Sequence, residues 1–451
     1  MQSMRSITVL TPTGTLGYGF DFLAFKRGMD FSPDVIAVDA GSTDPGPYYL
    51  GSGKPLVSRF STKHELEIIL TAARFAQIPV IIGSAGGAGT KYHVDWTAEI
   101  VREIAMEKKL KFRLATISAD IPVERVKEAI QRNEIRQFEA SFNLNVEILE
   151  KTTSLVAQMG YEPIVKALED GAEVIIAGRS ADDCVIASYP IWCGINVAQS
   201  IHMGKILECG AFSAEPFAMD VMLGFVSDDH FVLEPGSKNR YATRESVAAH
   251  SLYERENPYI QKGPGHQIDL HKCQYEQIDK RRVRVTGASY ERDNEYWIKL
   301  EGAAIIGFRT IAIAGVRCPT MIEKIDFLLE KARKKTYEYF SSKILNIEYH
   351  VYGRNGVMRD REPQKTISSH ELGLIIEVVA DDQETANSVC HHLSGTLLHD
   401  HWTGQVNTSG NIAFPYSPSE IDSGPVYNFS AYHLMKTPDP LELFPITFED
   451  I

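Results

Sequence analysis

Five short apolar runs, each broken off by a polar or glycine-rich turn, constrain the fold of this chain more than anything else in it. They are ITVLTPTG (7–14), DVIAVDAGST (34–43), PVIIGSAGGAG (79–89), FRLATISADIP (112–122) and EVIIAGRSADD (173–183). Cores such as Val174-Ile175-Ile176-Ala177 show no polar alternation. Parallel strands covered on both faces by helices read that way. Between the runs lie STKHELEIILTAARFAQI, VDWTAEIVREIAMEKKL, PVERVKEAIQRN and TTSLVAQMGYEPIVKALEDGA, with apolar residues at helical spacing. Alternating strands and helices predict an α/β fold, an open sheet or a barrel, with helices on both faces. The turns after such strands gather on one edge, where ligands bind. The turn DAGSTDPGP (39–47) is then one of five converging polar turns rather than a lone surface bend.

These units fill residues 1–190, and the pattern loosens over 191–285. There IHMGKILECGAFSA and SVAAHSLYEREN read as helices, the second ended by Asn257-Pro258. Beyond that the style becomes α+β: YWIKLEGAAIIGFRTIAIAG, the helix MIEKIDFLLEKARKKTYEYF, NIEYHVYG, ELGLIIEVVA, and a helix through ETANSVCHHLSGTLLHDHW. Strand pairs separated by helices predict a ferredoxin-like domain. The expected division is 1–345 for the α/β domain (strand–helix units to 190, then the looser 191–345) and 346–451 for the α+β domain. The boundary falls between 285 and 345.

A net charge of −13 argues against nucleic-acid or anionic-membrane partners. Six cysteines without a CxxC pair suggest neither a disulfide framework nor a zinc knuckle, and fit a reducing compartment. The N-terminal apolar run is too short for a signal peptide, and no apolar segment approaches transmembrane length. The expectation is a cytoplasmic protein with a small-molecule ligand.

Candidate site residues come from the turns. In GSAGGAGTK (83–91), the backbone amides around Ser84, Gly86, Gly87, Gly89 and Thr90 suit an anion at a helix N-terminus. The loop matches neither a Walker A loop nor GxGxxG, and close strand–helix packing is the competing explanation. Ser42, Thr43 and Asp44 of the first turn would join it on the same edge. Arg179 offers a planar fork for a carboxylate. Ser180 with Asp183 resembles a capping box. Asp39, Asp44, Asp120, Asp182 and Asp183 all fall on the proposed edge, implying either a hard divalent cation or a base of raised pKa. No HExxH or EF-hand spacing specifies the metal. His202, Lys205 and Cys209 share a helical stripe, with Glu208 one turn from Lys205. The four histidines of CHHLSGTLLHDHW read as a solvated helix end.

Together AVDAGSTDPGPYYLGSG, IIGSAGGAGTKYHVDW, GAEVIIAGRSADD, HMGKILECG, SVAAHSLYERENPY and SGNIAFPYSPSEI…GPVYNFS resemble the acyclic terpene utilisation AtuA family, as a divergent subgroup. The resemblance spans nearly the whole chain. It implies an N-terminal AtuA domain, a C-terminal ferredoxin-fold domain, and a role in breaking down branched carboxylic acids and their CoA esters. The leading expectation is a hydro-lyase (hydratase or dehydratase) acting on a small carboxylate or its CoA thioester. Arg179 and the glycine loop would anchor the acid, Asp39, Asp182 or His202 would be the base, and Lys205 and Glu208 would fix the acid–base pair. A divalent metal ion could replace part of this. For Arg179→Lys this implies near-normal melting with about a hundredfold loss of kcat/KM. The second reading is a non-catalytic acyl-CoA-binding or scaffold subunit, the third a nucleotide-binding enzyme. The ferredoxin-like domain suggests a homo-oligomer.

Overall fold

The structure, a computed structural model, describes residues 6–139, 141–253, 255 and 257–451. The chain divides into two compact units, one running to Ala304 and resuming over Phe429–Ile451, the other Ile305–Asn428. This differs from the expected 1–345 and 346–451. The break falls inside the strand Trp297–Val316, whose first residues belong to one unit and the rest to the other. The last residues rejoin the first unit because Ile446–Asp450 pairs antiparallel with Arg113–Ile117.

In the first unit the five apolar runs form the strands β1 (Ile7–Thr11), β2 (Val35–Asp39), β3 (Val80–Gly83), β4 (Arg113–Ile117) and β5 (Val174–Ala177). They lie parallel in the order β1-β2-β3-β5-β4. Every residue of β2, β3 and β5 is buried, which is why these runs carry no polar alternation. Successive strand residues face opposite layers. Val80 and Ile82 join Leu66, Ile69, Val94 and Val101, from helices Arg59–Ala76 and Lys91–Lys108, in one core. Gly83 faces the other way, where a Cβ would lie 2.1 Å from Val185 of helix Asp182–Trp192.

The sheet is mixed rather than purely parallel. The looser region supplies Met222–Val226, His230–Pro235, Gln274–Gln277 and Val283–Thr286, which extend it antiparallel from β1. TTSLVAQMGYEPIVKALEDGA is not one helix but strand Thr152–Ala157 followed by helix Glu162–Glu169. Its β-branched start pairs with Leu300–Ala304, a tertiary partner that helical spacing cannot reveal. The helix read in SVAAHSLYEREN is Arg244–Leu252; Glu254 and Glu256 lie outside the described residues.

The second unit runs strand, helix, strand, strand, helix, strand. Its elements are the end of Trp297–Val316, Ile325–Phe340, Ile344–Tyr352, Leu372–Ala380, Gln383–His399 and the start of Glu420–Lys436. The strand order is second, third, first, fourth, the ferredoxin-like arrangement. Leu372, Leu374, Ile376 and Val378 alternate inward and pack on Leu328, Leu329, Val389 and Leu393 of the two helices.

Candidate active site

The turns after β2, β3 and β5 do meet at the C-terminal edge of the sheet. Their glycines let backbone touch backbone. A Cβ on Gly41 would sit 2.7 Å from the Cα of Gly87, and one on Gly89 2.2 Å from the Arg179 nitrogen. Gly41, Gly87 and Gly89 all have positive φ. Several of the loop's own groups bond within the protein: Gly87 and Gly89 donate to the carbonyls of Ser84 and Ala85, and the Gly86 carbonyl accepts from Leu56. Thr90 caps the next helix by accepting from the His93 amide at 3.4 Å. Ser84, Gly86, Gly87, Gly89 and Thr90 are therefore placed in a packed junction, all buried.

Beneath this junction lies a buried charge network. Met159 exchanges hydrogen bonds with Arg179 and Ala181, and the strand just before it, Thr152–Ala157, pairs with Leu300–Ala304. That docking carries Glu301 to Arg179. Arg179 Nε donates to Glu301 Oε2 at 2.7 Å and Nη2 to Oε1 at 3.4 Å. Its Nη1 donates to Ser84 Oγ (3.2 Å), the Ser180 carbonyl (3.0 Å) and Asp182 Oδ1 (3.3 Å). Lys299 Nζ and Thr43 Oγ1 both reach Glu301 Oε1 at 2.9 Å. Burial disfavours the Glu301 charge, but Arg179 and Lys299 outweigh it and hold the carboxylate down at about 2. Asp39 sits at the margin. Burial and the nearby Asp182 raise its pKa well above the ordinary value against the pull of Arg179. Its Oδ1 has no hydrogen-bond partner among the described residues. The opening turn thus splits: Asp39 and Thr43 face inward, while Ser42 and Asp44 bond each other at 2.8 Å in an exposed bend.

Asp182 links this network to a cleft of ≈ 170 Å³ lined by Asp182, Asp183, Lys205, Glu208, Arg255 and Gln261, among others. Helices Asp182–Trp192 and Val197–Leu207 build it by close approach at Gly204, where a Cβ would lie 2.3 Å from the Asp183 carbonyl oxygen. Asp182 and Asp183 occupy the first turn of their helix, where the dipole favours anions. Lys205 and Glu208 leave the second helix one turn apart, and Lys205 Nζ donates to Glu208 Oε1. Burial pushes Glu208 well above its ordinary value; Lys205 opposes this and Asp182 adds to it. Burial also works against the Lys205 charge, but Glu208 and Asp182 outweigh it and raise its pKa. Glu208 Oε2 is buried without a hydrogen-bond partner among the described residues. Gln261 donates to Asp183 and accepts from Arg255 at 3.2 Å. Gly204→Ala is expected to part the two helices and lower stability by about 1–3 kcal/mol. A melting curve checks this, and unchanged melting would mean the helices have slack.

His202 shares a helix with Lys205 but lies apart from the cleft. Its Nε2 is 2.5 Å from Ser251 Oγ, its ring meets Phe231 edge-on at 5.2 Å, and burial lowers its pKa to about 3. A neutral imidazole locked between helices serves packing. Cys209 Sγ lies 3.2 Å from the Tyr253 hydroxyl, and burial pushes the thiol up to about 12, which leaves little thiolate. Arg255, Gln261, Lys299 and Glu301 went unread in the sequence. Only Arg255 carried a signal, as a cation beside a helix end in YERENPY. Among the described residues no group of three or more His, Cys, Asp or Glu side chains is arranged to hold a metal ion. Nor is any helix among them long and apolar enough to cross a membrane.

The family model for the acyclic terpene utilisation family protein AtuA matches residues 59–416. No curated protein and no solved structure matches the chain.

Proposed function

Because the chain belongs to the acyclic terpene utilisation family AtuA, a family of catabolism, we propose that it is an enzyme of carboxylic-acid breakdown. The reaction is that of a hydro-lyase, on a small or branched carboxylate or its coenzyme A thioester. The observation that carries this reading is the buried, unpartnered Glu208 Oε2 in one cleft with Lys205 and Asp182. Dehydration needs a base for the proton α to the carbonyl and an acid for the departing hydroxyl. Asp182, oriented by Arg179, takes the α-proton; the C–H electrons form the double bond as the C–O bond breaks. Glu208, whose affinity for a proton is raised by burial and its acidic neighbours, protonates the hydroxyl, which leaves as water. Lys205 positions Glu208, and Arg255 faces the negative charge that develops on the carbonyl side. Arg179 acts beneath the site rather than on the substrate carboxylate, since Glu301 already occupies its fork.

The test is deuterium uptake from heavy water at the α-carbon of crotonate or crotonyl-coenzyme A, followed by mass spectrometry. Uptake by the wild type and its loss in Asp182→Asn support the assignment. Equal uptake by both proteins would remove Asp182 from the reaction.

A further inference from the structure

A cavity of ≈ 410 Å³ lies wholly within the second unit, at the ends of the strands Trp297–Val316 and Leu372–Ala380 and against the segment Trp402–Ala413. Its size falls among the roughly 300–1,000 Å³ of small-molecule sites. Two of its lining residues are glycines that the strands do not need. Gly315 stands opposite Gly373, and the register runs unbroken from Phe308–Ala380 to Val316–Leu372, so no bulge calls for them. Neither has positive φ. Nor does packing exclude a side chain. A Cβ on Gly315 would come no nearer than 4.0 Å to the Ala413 and Leu372 carbonyl oxygens, and one on Gly373 would lie 3.6 Å from the Tyr352 Cβ. Gly302, earlier in the same strand, is the contrast: a Cβ there would meet Leu155 at 2.9 Å. A glycine inside a strand weakens it, and one with no bulge or close packing to serve marks the approach of a ligand. Two in register keep a floor clear.

The rim narrows the chemistry. The next positions past Val316–Leu372 are Arg317 and Glu371, both exposed and both lining the cavity. Neither forms an ion pair or a side-chain hydrogen bond among the described residues. Met321 and Trp402 line it as buried apolar groups. The Trp402 wall is fixed in advance: Asn411 Oδ1 accepts from Trp402 Nε1 at 3.2 Å, while its Nδ2 donates to the Leu397 and Asp400 carbonyls at 3.1 and 2.8 Å. A preformed wall spares a ligand the cost of ordering it. A carboxylate alone would meet Arg317 and be repelled by Glu371, and a cation alone would meet the reverse. A molecule carrying both charges on one carbon, with an apolar tail, satisfies the whole lining. We infer that this cavity binds a free α-amino acid with an apolar side chain. Its carboxylate meets Arg317, its ammonium meets Glu371, and its side chain lies over Gly315 and Gly373 against Met321 and Trp402. The site is independent of the reaction proposed for the cleft.

Cys318 supplies a local readout, since it lines the cavity and is the exposed one of the six cysteines. The full-length protein is alkylated with iodoacetamide, alone and with L-leucine, L-phenylalanine, leucinamide (no carboxylate) or 4-methyl-2-oxopentanoate (no ammonium). Mass spectrometry then reads each cysteine. Leucine or phenylalanine is expected to slow alkylation of Cys318 while the rates at Cys209 and Cys273 stay unchanged. The amide and the oxo acid should each need about tenfold higher concentration, as should leucine with Arg317→Gln or Glu371→Gln. Gly315→Val should abolish the protection and melt no lower than wild type, because valine suits a strand and the space is open. If that variant melts lower, the two charge substitutions decide alone. No protection by either amino acid at about 10 mM, weak binding by any measure, would overturn the site. An oxo acid as effective as leucine would do the same, as would protection unchanged by both charge substitutions.

Discussion

Glu301→Gln is expected to lower the unfolding free energy by about 3–5 kcal/mol, because it leaves the buried Arg179 and the half-buried Lys299 without their shared carboxylate. Glu301 is fully buried and takes both Arg179 and Lys299. Denaturant titration of the variant measures the loss; a change within about 0.5 kcal/mol would place the pair in the class of exposed, screened ion pairs. The pH dependence has a definite sign. The folded pKa of Glu301, about 2, lies below the ordinary value of 4.5. Its contribution is therefore present above 4.5 and lost as pH falls through about 2. The glutamine variant should lack that component of acid sensitivity. Asp39 works in the opposite sense: its raised pKa gives stability at low pH that is lost as pH rises through the folded value. The same network changes the expectation for Arg179→Lys. Near-normal melting followed from a guanidinium open to substrate. With Nε and Nη2 both on Glu301, lysine keeps the charge but loses the fork, so melting should fall along with activity.

Glu208→Gln is expected to cost about 10²–10⁴ in kcat, the range for a lost general acid or base. Glutamine preserves shape and can still accept from Lys205, so the fold should survive. The pH profile carries the diagnostic. A protonated Glu208 is the working form, so the wild-type rate should decline as pH rises through its raised pKa, and the variant should lack that limb. A variant with the wild-type profile would move the acid elsewhere.

What the sequence made legible follows the range of the forces involved. The strands of the five apolar runs could be read because their two covered faces impose a local composition, visible without knowing any partner. Lys205 and Glu208 could be read as neighbours because three residues on a helix make one turn. Glu301 could not. It meets Arg179 across 122 residues, through a strand pairing that no local pattern announces. The same long-range pairing turned Thr152–Ala157 from a supposed helix into a strand. The glycine turn showed a need for close backbone approach but not whether the approaching group was a ligand or the protein itself. Here Arg179 and Leu56 fill the space. His202 lay on the same stripe as Lys205, yet the packing of Ser251 and Phe231 takes its ring away from the cleft.

One measurement bears most directly on whether the Asp182–Lys205–Glu208 cleft performs acid–base chemistry. Hydroxy- and unsaturated carboxylic acids, free and as coenzyme A thioesters, are incubated with wild type and with Glu208→Gln, and mass spectrometry records the gain or loss of one water. The expected result is interconversion of at least one hydroxy/unsaturated pair by the wild type, reduced by about 10²-fold or more in Glu208→Gln. Interconversion at equal rates in both proteins, or none of any pair by a wild type that binds the thioesters, would contradict it.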